Sequence, residues 1–118
     1  MYKYLIIISL LCLGFNTYQL KIQKGKASYY ADRFEGKPTA SGVIYQHKKM
    51  TAAHKTLPFG SKVKVTNLNN KREVIVLVND RGPFVKGRII DVSKSAAEQL
   101  GFVRQGIADV SIEVLDTN

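Results

Sequence analysis

The segment Asn79-Asp80-Arg81-Gly82-Pro83 sets a carboxylate beside a guanidinium in a turn. It follows the apolar run Val74-Ile75-Val76-Leu77-Val78 and leads into Gly87-Arg88-Ile89-Ile90-Asp91. A β-branched run ended by Asn, Asp, Gly and Pro reads as a strand entering a tight turn. Asp80 therefore stands at the mouth of a rigid strand, where it can be held still and still meet a ligand. The residues alone leave two readings open: a general acid and base, or a turn residue bonded to the backbone. Arg81 either shapes the turn or meets an anionic group. His54, after Thr51-Ala52-Ala53, is either a helper of such a carboxylate or a satisfied structural histidine. Tyr29 and Tyr30 either stack on a ligand or belong to the core. Asp91 anchors the turn or pairs with Arg88.

These residues need a scaffold of short strands. Lys26–Ala31 reads as a first strand, and Asp32–Gly42 is rich in turn residues. Met50–His54 is short and apolar. Lys62–Thr66 alternates with period two, Asn67-Leu68-Asn69-Asn70 turns, and Glu73–Val78 returns as a hairpin. Asparagine is expected to take the positive φ of that turn. One helix is marked: Ser93 can cap it, Ser95 and Glu98 can form a capping box, and Gly101 ends it after Leu100. Ala108–Leu115 alternates again as a last strand. About six short strands and one short helix favour closure into a small mainly-β barrel, which leaves no open edges.

Composition bounds the partners. The chain has 118 residues, expected to form one domain, and carries a net charge of +9. Lys3, Lys21 and Lys24 lie in the first 24 residues with no acid among them, so the remainder still carries +6. A basic surface favours polyanions such as nucleic acid, anionic lipid or an acidic wall polymer. No interleaved aromatic and basic pattern of a single-strand binder is present, so no nucleic-acid partner is expected. Cys12 is the one cysteine and there are two histidines, which excludes an internal disulfide and argues against a conventional zinc site. No metal and no cofactor are expected.

Residues 1–20 have the form of a signal peptide or N-terminal apolar segment, with Lys3 ahead of an apolar run from Leu5 to Phe15. Export to the periplasm or cell envelope is expected, with membrane anchoring through this segment as a second possibility. Lipid attachment at Cys12 would want a small residue before it. Leu11 stands there, and Cys12 reads more simply as a small hydrophobe within the run. Residues 21–24 are expected to be linker, with the domain running from 25 to 118 as a monomer.

Four blocks carry a family resemblance. They are Gly25-Lys26-Ala27-Ser28-Tyr29-Tyr30, Thr39-Ala40-Ser41-Gly42, Thr51 through Gly60 (TAAHKTLPFG), and Asn79-Asp80-Arg81-Gly82-Pro83-Phe84 continuing to Arg88–Ser93. In this order the chain resembles the rare lipoprotein A (RlpA) family over Gly25–Leu115. The resemblance implies a six-stranded double-psi β-barrel with one or two short helices, the fold of expansins and of the catalytic domain of membrane-bound lytic transglycosylase A. It implies peptidoglycan glycan strands as partner, cleaved between N-acetylmuramic acid and N-acetylglucosamine to leave 1,6-anhydro ends. It implies Asp80 and His54 as catalytic residues, and Arg81, Tyr29, Tyr30, Thr39 and Ser41 as substrate-binding. Many members carry a C-terminal SPOR repeat; none is found before Asn118, so targeting by that route is not expected. The chain departs from the family at Val43 and Gln46, where enzymatic members usually carry a glutamate and an aspartate. Two activities therefore stand side by side: a lytic transglycosylase using Asp80, or a non-catalytic, expansin-like wall-binding module.

Overall fold

The computed structural model describes residues 22–116; the apolar segment, Cys12 and Lys21 lie outside them. Six strands form in chain order: β1 (Ile22–Tyr29), β2 (Thr51–Ala53), β3 (Lys62–Asn67), β4 (Glu73–Asp80), β5 (Arg88–Val92) and β6 (Ala108–Asp116). A short 3-10 turn spans Asp32–Phe34, and one helix, α1, spans Lys94–Leu100. The strands close in the order β1-β5-β2-β4-β3-β6. β1 runs parallel to β5 and β2 parallel to β4, while the other four contacts are antiparallel. This mixed, closed, six-stranded barrel is the double-psi architecture that the resemblance implies. Among the described residues, no helix is long and apolar enough to cross a membrane.

Alternation along the strands fills the interior. On β4, Val74, Val76 and Val78 point inward while Ile75 and Leu77 face out. Val63 and Val65 of β3, Ile90 and Val92 of β5, and Val110 and Ile112 of β6 meet them in one cluster. The helix adds Ala96, Ala97 and Leu100 to that cluster. A residue such as Ile90, with no exposed surface, typically costs about 2–5 kcal/mol when cut to alanine.

Three local expectations change. β1 starts at Ile22, so residues 22–24, expected as linker, pair with Ser111–Glu113 of β6. In the β3–β4 hairpin the positive φ falls on Lys71, not on an asparagine. The asparagines instead supply side-chain bonds: Asn67 Nδ2 and Asn70 Nδ2 both donate to the Leu100 carbonyl at 2.9 Å. They thereby satisfy an orphan acceptor at the end of α1. At the helix start, Ser93 Oγ accepts from Ala96 N–H at 3.2 Å. The Ser95–Glu98 box is therefore not the cap: Ser95 lies inside the helix and its N–H donates to the His47 carbonyl at 3.0 Å.

Candidate active site

Strand pairing sets four residues in a row. Asp80 of β4 pairs with Ala53 of β2, Ala53 with Asp91 of β5, and Asp91 with Ser28 of β1. Adjacent strands lie about 4.8 Å apart, so the two aspartates stand roughly 10 Å apart at the backbone. Ala53 between them is too small to fill the space. The result is a cleft of about 570 Å³ lined by both carboxylates, within the range of about 300–1,000 Å³ usual for ligand clefts. Arg33, Arg81 and Arg88 bring positive charge to its walls, and Phe34 and Phe84 bring aromatic surface. Phe84 is 83% exposed.

Asp80 is held at both oxygens. Oδ1 accepts from Ala40 N–H at 2.8 Å and from Arg81 N–H at 2.9 Å. Oδ2 accepts from the Tyr30 hydroxyl at 2.5 Å. Burial first, and then the bond to Asp80, push the Tyr30 phenol far above its ordinary value, so Tyr30 stays a donor. Asp91 accepts from Ser28 Oγ and, at 3.1 Å, from Arg88 Nη2. Asn79 Oδ1 and Arg88 Nε are buried without a hydrogen-bond partner among the described residues. Buried polar groups usually find one; of these two residues Arg88 lines the cleft and Asn79 does not.

The remaining expected site residues separate. Tyr30 is buried, and its ring stacks on Tyr45 with centroids 4.1 Å apart; it reaches the site through its hydroxyl rather than as a sugar platform. Tyr29 lines the cleft, but its hydroxyl donates to the Val103 carbonyl at 2.9 Å and its ring packs edge-on against Phe102. Thr39 and Ser41 are outside the cleft lining. Thr39 Oγ1 donates to the Val43 carbonyl at 2.7 Å, and Ser41 Oγ pairs with it at 2.9 Å. Both shape the loop that aims Ala40 N–H at Asp80. Val43, on the same loop, is 56% exposed.

His54 is likewise outside the cleft lining. Its Nδ1 accepts from the N–H groups of Thr56 and Leu57, each at 3.1 Å. That leaves Nε2–H to donate to Gln23 Oε1 at 3.1 Å. Burial, then the charges of Arg81 and Lys55, hold the imidazole below its ordinary value. The expected side-chain partnership with Asp80 is replaced by a backbone one, in which His54 N–H donates to the Asp80 carbonyl at 3.1 Å. Arg81 Nη1 donates to the Leu57 carbonyl at 2.8 Å and the His54 carbonyl at 3.3 Å, with its guanidinium 4.1 Å over the Phe59 ring. His54 thus folds the segment that anchors Arg81.

Reading the sequence missed Asp91 as a cleft residue, Ala53 as its floor and the aromatic pair Phe34 and Phe84. An unaccompanied phenylalanine straight after Gly82-Pro83 was the one legible signal. A second hollow of about 560 Å³ lies between the middle of β1, the start of β6 and the β3–β4 turn. Its one carboxylate, Asp109, is tied to Lys26 at 2.7 Å, so paired-carboxylate chemistry belongs to the first. Among the described residues, no cluster of three or more His, Cys, Asp or Glu could hold a metal.

The family model described as "Lytic transglycolase" matches residues 22–112. The chain is 56% identical to "Endolytic peptidoglycan transglycosylase RlpA" of Pasteurella multocida, covering 77% of this chain and 31% of that protein. It is 59% identical to the protein of that name in Neisseria meningitidis serogroup A, covering 77% and 38%. The chain thus spans about a third of the length of these relatives. Among solved structures it superposes on the Streptomyces papain inhibitor (TM-score 0.65, 24% identity, 80% of this chain and 94% of that one). It also superposes on apo Clavibacter michiganensis expansin (TM-score 0.66, 20% identity, 80% and 50%). Likeness at these identities speaks for the barrel fold alone. A family match over residues 22–112, together with relatives 56% and 59% identical, makes this chain a member of the RlpA-type lytic transglycolase family.

Proposed function

We propose that the cleft binds peptidoglycan glycan strands and cleaves the bond between N-acetylmuramic acid and N-acetylglucosamine. The observation that carries this reading is Asp80 fixed at the end of β4 in a cleft it shares with Asp91. In the proposed step Asp80, protonated, gives its proton to the glycosidic oxygen as the bond from that oxygen to C1 breaks. The muramic 6-hydroxyl oxygen then bonds to C1, and its proton returns to Asp80. A 1,6-anhydro end and a free 4-hydroxyl result, with no water consumed. Tyr30, kept protonated by burial, holds Asp80 in place as a donor to Oδ2. Asp91 faces the developing positive charge across Ala53 and offers electrostatic stabilisation. Arg33 and Arg88 suit an anionic polymer, and Phe34 and Phe84 suit sugar faces.

The relatives' names support a cell-envelope location. Export through residues 1–20, anchoring by that segment and a monomeric state belong to the same proposal. The test is incubation of the full chain with denuded glycan strands, with products read by mass spectrometry. Wild type is expected to release anhydro-muramyl products, and Asp80→Asn to reduce the rate by about 10²–10⁴-fold, the usual contribution of a general acid and base. Equal output from both would overturn the catalytic role.

A second reading has its own observation. The loop presenting Ala40 to Asp80 carries exposed Val43 and neutral Gln46 and contributes no carboxylate to the cleft. As a binding module, wild type and the Asp80→Asn variant would be retained equally on sacculi, and neither would release anhydro ends.

A further inference from the structure

Three side chains behind the cleft form a hydrogen-bonded chain that the proposed reaction does not use. Asp32 shares the 3-10 turn with the cleft residues Arg33 and Phe34. Its Oδ1 lies 2.9 Å from His47 Nε2 and 3.6 Å from Lys94 Nζ. His47 Nδ1 lies 2.7 Å from the Tyr45 hydroxyl. A carboxylate can only accept, so Nε2 carries the proton and Nδ1 of the neutral ring accepts from Tyr45 O–H. The Tyr45 oxygen in turn accepts from Lys94 N–H at 3.2 Å. The His47 backbone is tied as well, its N–H donating to Glu35 Oε2 at 2.7 Å. The charged or titratable groups around His47 are thus Asp32, Glu35, Tyr45 and Lys94.

This chain meets the cleft through one ring. Tyr45 is 2% exposed and stacks on Tyr30 at an interplanar angle of 10°. Phe34 packs edge-on against Tyr30 at 5.8 Å. Tyr30, held between these rings, donates to Asp80. The plane of Tyr45 therefore limits where the Tyr30 hydroxyl can point.

We propose that Asp32, His47 and Tyr45 form a positioning relay that orients Tyr30 toward Asp80 and secures the turn carrying Arg33 and Phe34. The relay rests on the reading of Asp80 as proton carrier for its kinetic effect only. Its structural effect is separately measurable, so the two can fail independently. The measurement is proton NMR of the Tyr30 hydroxyl in the full chain. Wild type is expected to show a slowly exchanging downfield resonance, assigned by its loss in Tyr30→Phe. In His47→Ala and Tyr45→Phe its exchange should quicken by about tenfold, as on losing one hydrogen bond.

Asparagine places its amide oxygen near the position of Nδ1, and glutamine near that of Nε2. His47→Asn, which keeps the link next to Tyr30, should therefore keep exchange slower than His47→Gln does; this pair also decides the matter if His47→Ala does not fold. Lys48→Ala, on the exposed neighbour, should match wild type. Where wild type cleaves glycan, His47→Ala should lower kcat by about tenfold with KM little changed, the mark of an interaction made in the transition state. A wild-type resonance in Tyr45→Phe, or equal loss in His47→Asn and His47→Gln, overturns the relay. Absent cleavage by wild type overturns the enzymatic reading and leaves the NMR outcome to decide the relay.

Discussion

At the level of single residues, the site divides into groups that face the cleft and groups that hold them. Asp80 was legible as a strand-ending carboxylate in a tight turn, a position that left acid and turn residue both open until the family resemblance favoured the acid. His54 was legible as important but not in its role, since spacing cannot say which atoms an imidazole touches. Folded, its Nδ1 serves two backbone N–H groups, and its proton affinity falls below the ordinary value of 6.5. In the pH interval between 6.5 and the lowered folded value, the unfolded chain binds more protons than the folded one. Stability therefore rises with pH across that interval and is lost as pH falls through it. Thermal melts from alkaline to acidic pH should show this slope. His54→Asn, which keeps an acceptor for the two N–H groups and cannot titrate, should flatten it. An unchanged slope in that variant would assign the effect elsewhere.

At the level of elements, the link between α1 and the β3–β4 hairpin is the part least visible in the chain. Gly101 has φ +78°, and a Cβ there would lie 2.9 Å from both Arg72 Nη1 and Asn70 Nδ2. The left-handed conformation alone costs a residue with a side chain roughly 1–2 kcal/mol. Gly101→Ala should lower unfolding stability by at least about that much in denaturant melts, because the crowding adds to the backbone term. Gly36→Ala has a similar φ of +84° and open space around it, so it should cost less. Equal losses would remove the hairpin contact from the explanation. The alternation of β3, β4 and β6 was readable from period two. Asn67 and Asn70 were not readable as partners of the Leu100 carbonyl, because a side-chain bond across some thirty residues leaves no local pattern.

At the level of the whole molecule, closure and charge act together. The barrel brings four separate segments to one row, and Arg33, Arg81 and Arg88 line the cleft beside it. Exposed charges are screened beyond about 10 Å at 0.1 M salt. Retention on purified sacculi should therefore weaken steadily between low and high salt, as read by co-sedimentation; binding indifferent to salt would mean that charge does not drive capture. Chain order was sufficient for the short strands, the single helix, the basic balance and the family, since each is written in periodicity, turn residues or contiguous motifs. It was not sufficient for the pairing of Asp80 with Asp91 across Ala53, for the withdrawal of His54, Thr39 and Ser41 behind the cleft, or for the relay from Asp32 to Tyr30. Those depend on which strands become neighbours when the sheet closes, and on which face each side chain then meets. Contacts between residues distant in sequence acquire a geometry only when the barrel forms.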